Sequence, residues 1–475
     1  MQKPNYLPIN YLANSTWIKT IAEDEKIDLN KYHFIKLQDD GFALLNKSTL
    51  LITYIHQSMY QHISTNDRAQ IGDDLFALLL NDISDDKLIN ENQPTKINKI
   101  FLHISHDCNL SCPYCYALGG DYGKGRKMMT LETAVKAINY IIARDPSIEE
   151  LTIEFFGGEP LLNHNTIENL IEYIEKHFTD ISFKYGCVTN ATVMNDKIYS
   201  MLKKYNFSVM MTIDGPQYFH DQQRIYANGK GSFEDVLKNI TLFKESVSNL
   251  SVRIVYTKLN QNLYDIYKYV YEELGITNVS FRPVMTEIEK FKLSSGDIKK
   301  ASEEIRKCFL YYLEKKLQNK KITTSLFDDI VKSLLYRKRK EKFCDFGNFV
   351  SITPEGDIYP CTHFVYNDKY KFGSINDSKL DEDAISYCLN SGMVNYTPCA
   401  ECWMKNLCQG GCKGSAEFYY KNIYTKDEFC ETRQVIVEQA VIEIVKSCLN
   451  DNINKLYDAF KLVDSDNLIS ADRWR

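Results

Sequence analysis

The chain has 475 residues, enough for about three domains of ordinary size. Its 57 basic and 63 acidic side chains leave a net charge of −6, which argues against a nucleic-acid enzyme with a basic binding surface. Apolar residues make up 44% and charged residues 25%, the balance of a soluble globular protein, and no apolar run is long enough to span a bilayer.

Residues 1–95 contain no cysteine, which sets them apart from the rest. HFIKL, a DDG turn, FALLNKS and LLITYI predict a small antiparallel sheet, and IGDDLFALLLNDIS predicts an amphipathic helix. Residues 96–290 alternate short apolar, β-branched or aromatic runs (FLHISH, LTIEFF, FKYGCV, FSVMMTI, LSVRIVYT and NVSFRPV) with helical stretches such as TLETAVKAINYIIARD and NTIENLIEYIEKHF. Six such βα units predict a parallel sheet with helices outside it. Residues 291–343 read as a helical bridge whose basic run at 336–342 is a solvated helix end. A cysteine-rich region follows over 344–432, and 433–475 closes the chain with a helix or a pair of helices.

Directly after the first strand of the βα region, Cys108, Cys112 and Cys115 form a C-x-x-x-C-x-x-C run in HDCNLSCPYCYA. Three thiolates with no fourth cysteine nearby can hold three corners of a cubane iron–sulfur cluster, leaving one iron to bind something else. Closed zinc sites use paired C-x-x-C knuckles, and two-cluster ferredoxins use C-x-x-C-x-x-C runs; the spacing matches neither. A second constellation comprises Cys344, Cys361, Cys399, Cys402, Cys408, Cys412 and Cys430, half of the chain's 14 cysteines. Disulfides are disfavoured in a long chain with no export signal, while the C-x-x-C pair alone would permit zinc. Cys187, Cys308, Cys388 and Cys448 fit no ligand spacing and read as small buried hydrophobes.

The second strand of this region ends in FFGGEP. Its glycine pair, Gly157 and Gly158, lets the backbone approach another group closely, and Glu159 can accept hydrogen bonds from an ammonium. The fourth strand runs into TIDGP, where Asp214 reads as a turn cap. GGDYGKG at 119–125 lacks the phosphate-loop pattern and reads as a flexible loop. His103 and His106 read as satisfied barrel histidines.

The first cysteine run, with GGEP one βα unit later, resembles the cluster-binding region of the radical S-adenosylmethionine superfamily. The second set, C-x11-G-x4-C, then C-x2-C-x5-C-x3-C, then a last cysteine, resembles the SPASM extension of radical enzymes that modify peptides. The resemblance implies an α/β fold: a partial (β/α)6 TIM-like barrel, an N-terminal winged-helix-like α+β domain and a C-terminal SPASM domain. It implies three [4Fe–4S] clusters and S-adenosyl-L-methionine as cofactors. Cys108, Cys112 and Cys115 would hold the radical cluster, and Gly157, Gly158 and Glu159 would bind the methionine amino group. Tyr114 would contact the adenine through its backbone. Thr212 and Arg224, spaced as in the anaerobic sulfatase maturases, would contact the methionine and ribose, with a salt-bridged surface arginine as the alternative for Arg224. Asn190 would line the same pocket.

On the family pattern, Cys399, Cys402, Cys408 and Cys430 ligate a distal auxiliary cluster, and Cys344, Cys361 and Cys412 an inner one. Sulfatase maturases have an eighth cysteine shortly before Cys344. Here that stretch is RKRKEKF, so the inner cluster either has an open iron or borrows Cys308. Thr362 stands where the maturases carry a catalytic aspartate, which disfavours formylglycine formation. The implied enzyme is a cytoplasmic maturase of ribosomally made peptides in which a 5′-deoxyadenosyl radical leads to a sulfur-to-carbon thioether. Its partners would be a precursor whose leader adds as a strand to the N-terminal sheet, and a flavodoxin- or ferredoxin-type electron donor, with no nucleic acid or membrane. The alternatives are a carbon–carbon crosslink, a larger protein substrate of the sulfatase or quinoprotein type, and a redox or sensor module without radical turnover.

Overall fold

A computed structural model of the protein describes residues 6–9, 26–38, 41–80, 97–340, 344, 346, 348–391 and 399–461. Its strands fall into two sheets. The first contains β1 (Tyr6–Pro8), β2 (Tyr32–Lys36), β3 (Gly41–Asn46) and β4 (Ile52–His56), in the order β1-β4-β3-β2 and antiparallel throughout. The last three match the sequence expectation; the aspartates of the DDG turn lie outside the described residues. β1 is an addition, because three residues ending in proline carry too little alternation to be read as a strand. Helices Gln57–Ser64, Arg68–Ile71 and Asp73–Leu80 follow. Leu75, Phe76 and Leu79 pack beneath the sheet with Leu44, Ile55 and Ile63.

The second sheet begins with β5 (Lys99–His106), whose end pairs with a short β6 (Lys127–Met128). β7 (Glu150–Gly157), β8 (Ser182–Thr189), β9 (Ser208–Thr212), β10 (Asn249–Tyr256) and β11 (Val279–Pro283) then add in parallel and in sequential order. Helices on the connections cover one face. In Leu131–Arg144 the buried positions are Ala134, Ala137, Ile138 and Ile141, and in His164–His177 they are Ile167, Leu170, Ile171 and Ile174. This three–four spacing is the apolar stripe of an amphipathic helix, and each buried isoleucine or leucine contributes about 1.5–3 kcal/mol. Thr130 and Asn195 cap their helices by accepting from Thr133 N and Ile198 N. The six strands make the expected α/β partial barrel.

The cysteine-rich region is built onto the same sheet. β12 (Phe349–Ile352) pairs in parallel with β5, and β13 (Asp357–Tyr359) and β14 (Gly373–Ser374) extend it antiparallel. Cys361, just beyond β13, packs on Phe101, Met210 and Phe349. Helices Ser295–Leu317 and Ser325–Leu335 bridge the two parts and pack on Cys430–Leu449, after which Ile453–Ala459 makes the C-terminal element a pair. Ser294 and Asp297 form a reciprocal capping box at the first bridge helix.

The first sheet docks on this assembly. His33 stacks on Trp403 with ring centroids 3.9 Å apart, and Asn406 Nδ2 donates to Lys47 O at 2.7 Å. Arg337 Nε donates to Thr49 O at 3.0 Å, and Lys340 pairs with Asp329 at 2.8 Å. Within the described part of the basic run Lys338 is exposed, whereas Arg337 and Lys340 are half-buried, Arg337 against the first sheet and Lys340 against the second bridge helix. This corrects the reading of a solvated helix end at these two positions. Among the described residues no helix is long and apolar enough to cross a membrane.

Candidate active site

The run from Cys108 to Cys115 leaves the C-terminal end of β5, at the barrel mouth, and glycine holds it there. Gly158 N donates to Ser105 O at 2.7 Å, and Glu159 N donates to Asp107 O at 2.8 Å. A Cβ on Gly157, whose φ is +126°, would collide with the Ser105 carbonyl oxygen, and one on Gly158 with that of Asp107. Gly120 faces them: its Cβ would lie 2.6 Å from the Gly158 Cα. The glycine pair thus brings two stretches of protein backbone together. The start of the GGDYGKG segment is anchored, because Gly120 is buried in this contact, while Gly123, Lys124 and Gly125 are exposed.

Glu159 also takes a role different from the one expected. It is fully buried; Oε1 accepts from Leu161 N at 3.0 Å and from the Thr189 hydroxyl at 2.8 Å, and Oε2 accepts from Asn190 N at 2.7 Å. The carboxyl ties the end of β7 to the end of β8 rather than standing open to a ligand ammonium. Burial pushes its pKa up to about 7 in spite of these donors. Asn190 reaches the cysteines directly: its Nδ2 donates to Cys108 Sγ at 3.7 Å and to Asn109 Oδ1 at 2.9 Å. Burial raises the Cys108 thiol to about 12, with Glu159 adding to the effect. It raises Cys112 to about 11 against the pull of the Arg224 charge.

Arg224 is buried, which removes the surface alternative. Its Nη1 donates to the Tyr114 hydroxyl at 2.6 Å and lies 3.7 Å from Asp214 Oδ2, and that carboxylate accepts from Tyr114 at 2.8 Å. Asp214 accepts further from Val255 N at 3.0 Å and Gln223 Nε2 at 3.2 Å. It joins β9 to β10 and the cysteine loop, so its reading as a local turn cap is corrected. Tyr114 enters through its side chain, where the sequence suggested only its backbone. Ser111 N donates to Ile225 O at 2.7 Å, fixing the loop to the Arg224 segment. Thr212, at the end of β9, is buried opposite Arg253 in the register.

The second cysteine set approaches the same mouth from the other side. The Tyr116 ring meets that of His363 at 4.8 Å. The Cys412 charge bears on Cys361, and the Cys408 charge bears on Cys402 and Cys430. Lys413 is buried under the influence of Cys399, Cys344 and Cys408. Cys308 sits on Ser295–Leu317, where Glu304 and Asp265 bear on it, and does not join either group. Cys187 and Cys388 are buried as expected, whereas Cys448 is partly exposed, because it lies near the end of its helix. None of the 14 cysteines forms a disulfide.

Sequence reasoning named His103 and His106 as satisfied barrel histidines but passed over their partners Tyr366 and Glu355. His103 Nδ1 meets His106 Nε2 at 3.1 Å, and His106 Nδ1 meets the Tyr366 hydroxyl at 3.0 Å, which donates to Glu355 at 2.8 Å. His106 is satisfied by this chain; His103 Nε2 is buried without a partner among the described residues, so the pair is only half satisfied. Asp427 and Arg433 stand three residues either side of Cys430, a position that could have drawn attention to them.

A profile of the Radical SAM superfamily matches residues 102–269, and one for an iron–sulfur cluster-binding domain, SPASM, matches residues 344–403. The uncharacterized protein MJ0907 of Methanocaldococcus jannaschii is 31% identical over 265 residues, 55% of this chain and 84% of its own. The chain belongs to the radical SAM superfamily. It is a radical SAM enzyme with a SPASM domain. Radical SAM cyclopropyl synthase TigE of Paramaledivibacter caminithermalis is 26% identical over 477 residues, 90% of this chain and 96% of that one. Two solved structures share the fold. One is anSMEcpe with bound AdoMet and Cp18Cys peptide, with TM-score 0.64, 21% identity, and coverage of 74% of this chain and 99% of that one. The other is Streptococcus suis SuiB bound to precursor peptide SuiA, with TM-score 0.50, 16% identity and coverage of 86% and 99%.

Radical SAM and SPASM domains imply iron–sulfur clusters and S-adenosylmethionine, and the residues present fit them. Among the described residues no three His, Cys, Asp or Glu side chains stand close enough together to hold a single metal ion. Asn190 nevertheless donates to Cys108, and the charges of Cys112 and Cys115 bear on Cys108. Arg224 Nε is buried without a hydrogen-bond partner among the described residues, close enough for its charge to act on Cys112. A buried, unspent donor of that kind suits an anionic ligand.

Proposed function

We propose that this radical SAM enzyme is a maturase that closes a new bond in a ribosomally made precursor peptide. The observation that carries the reading is the union of the two cysteine regions in one sheet: β12 pairs with β5, and Cys361 packs on Phe101 and Met210 of the barrel that bears Cys108, Cys112 and Cys115. A bond-forming oxidation removes two electrons from the substrate, and in this reading each cysteine region takes a share in that removal. Three [4Fe–4S] clusters and S-adenosyl-L-methionine are the cofactors in this reading. The cluster that Cys108, Cys112 and Cys115 would hold, together with S-adenosyl-L-methionine, would supply a carbon radical able to take a hydrogen atom from an unactivated carbon.

The chain's own residues bind and orient. Cys108, Cys112 and Cys115 anchor the first cluster, with Asn190 holding the Cys108 sulfur. Gly157 and Gly158 present backbone to the methionine amino group, with Glu159 bracing them from behind. Arg224 and Tyr114, pinned on Asp214 before any ligand arrives, lower the ordering cost of binding, with Thr212 alongside. Cys399, Cys402, Cys408 and Cys430 hold the distal cluster, and Cys344, Cys361 and Cys412 the inner one. The N-terminal region, 1–95, binds the leader by strand addition to its sheet. The relative whose structure carries a precursor peptide supports a peptide substrate.

For the product we infer a sulfur-to-carbon crosslink from a precursor cysteine. The support is that the stretch before Cys344, RKRKEKF, offers no eighth cysteine, while Cys308 is buried on the bridge helix Ser295–Leu317. A ring closed between carbons is the second reading, favoured by the cyclopropyl synthase that matches 90% of this chain. Turnover with a short cysteine-bearing precursor under reducing, anaerobic conditions separates them. A product lighter by two hydrogens and resistant to iodoacetamide is the thioether. The same mass with a thiol still open to alkylation overturns it in favour of a carbon–carbon bond. Deleting residues 1–90 should abolish precursor binding while unproductive cleavage of S-adenosylmethionine persists; undiminished affinity would make the region structural.

A further inference from the structure

Asp427 and Arg433 lie between the two auxiliary cysteine groups and are ligands of neither. Both are buried, at 2% and 8% exposure. Arg433 Nη1 donates to Asp427 Oδ2 at 3.0 Å and its Nη2 to Oδ1, a bidentate pair. The remaining contacts point in opposite directions. Arg433 Nε donates to Cys408 Sγ at 3.1 Å, while Asp427 Oδ2 accepts from Cys412 N at 2.8 Å and Oδ1 from Phe429 N at 3.1 Å. The positive end of the pair therefore faces the Cys408 group, and its negative end faces the backbone of Cys412. The loop is shaped around them: Gly411, at φ +82°, would bring a Cβ within 2.5 Å of Arg433 Nη2 and into Asp427 Oδ2.

A buried ion pair is weak evidence of stabilisation, since desolvation offsets most of its attraction. Its orientation is what matters here. A fixed guanidinium and an N–H···S bond both favour the reduced form of an iron–sulfur cluster, which carries the extra negative charge. A carboxylate turned toward the other group does the reverse. We propose that Arg433 is a positioning residue that raises the reduction potential of the cluster held by Cys408. With Asp427 it biases electron transfer from the Cys361–Cys412 group toward the Cys408 group. The proposal rests on the ligand assignment given under the proposed function, and the experiment separates the two.

The test uses full-length, cluster-loaded enzyme in which Cys108, Cys112 and Cys115 are alanine, so that only auxiliary clusters contribute to the electron paramagnetic resonance spectrum. Potentiometric titration is run on this protein and on its R433Q, R433K and C408S derivatives, with iron counted in each. C408S should lose iron and one of the auxiliary signals. In R433Q the midpoint of that same signal should shift to lower potential, and R433K, which keeps the charge but not the fork, should fall between. If R433Q alone fails to hold the cluster, a lowered midpoint in R433K carries the result. An unmoved midpoint at full iron overturns the proposal, as does equal loss of iron from R433K and R433Q, which would make Arg433 a folding strut. C408S retaining all its iron would instead overturn the ligand assignment, and the proposal with it.

Discussion

The two cysteine regions are held by different kinds of force. Around Cys108, Cys112 and Cys115 the glycine framework is backbone against backbone, with Gly157, Gly158 and Gly120 closing on Ser105 and Asp107. The buried ion pair there, Arg224 with Asp214, reaches the loop through the Tyr114 hydroxyl rather than through a sulfur, and all three cysteines stay partly exposed. Around Cys399, Cys408 and Cys430 the framework is charge, with Arg433, Asp427 and Lys413 buried among the sulfurs and Cys399 and Cys408 buried with them. The difference teaches what each site must leave free. A region that admits a ligand is braced from behind by groups that present nothing to compete with it. On the proposed function the second region only holds and passes electrons, and such a region can be enclosed by fixed charges that set its energy.

The largest effect should come from removing the first region's ligands. Replacing Cys108, Cys112 and Cys115 together by alanine should take away about a third of the bound iron and all cleavage of S-adenosylmethionine, leaving the auxiliary signals in place. Iron analysis and chromatography of 5′-deoxyadenosine check this, and surviving cleavage would end the assignment of the cysteine run.

Next comes strain in the two frameworks. Gly158→Ala pushes a methyl into the Asp107 carbonyl, an atom of backbone that has no room to retreat, and should cost about 3 kcal/mol or more. The iron lost should be that of the first region alone. Gly411→Ala meets the ends of a carboxylate and a guanidinium, which can shift a few tenths of an ångström while staying paired, and should cost about 1–2 kcal/mol, mostly for its φ of +82°. Thermal melts with iron analysis rank the two, and equal losses would show that the frameworks do not differ in stiffness.

What the sequence disclosed follows the reach of each signal along the chain. The six βα units and the cysteine run were legible because periodicity and ligand spacing are local. The pairing of β12 with β5 was not, since Phe349 and Lys99 are partners 250 positions apart and parallel pairing leaves no mark in either segment. Nor could it show that Glu159 and Asp214 spend their carboxylates on strand ends, because a motif names a residue without saying which atoms remain open. Arg433 was hidden for a related reason. Its partner Asp427 sits across the Cys430 turn, and an isolated arginine near a cysteine looks like any surface charge until its burial is known.

The smallest effect sharpens the comparison from the electrostatic side. The first region has one buried carboxyl, Glu159, that no cation neutralises by direct contact: its partners are two backbone N–H groups and a hydroxyl. Burial therefore lifts its pKa from 4.5 to about 7, whereas Asp427 in the second region has Arg433 against it. A carboxyl with a raised folded pKa holds its proton more firmly in the folded than in the unfolded chain. Its contribution favours the fold in full below pH 4.5 and is lost as pH rises through 7. The slope from this one group is at most about 1.4 kcal/mol per pH unit across that window. Melting of the metal-free enzyme between pH 4.5 and pH 7 should show it. Glu159→Gln, which cannot ionise, should flatten the curve there even if the amide costs a hydrogen bond and lowers the whole profile. A slope unchanged by the substitution would place the titrating group elsewhere and would remove the contrast between an unneutralised carboxyl in one region and a neutralised one in the other.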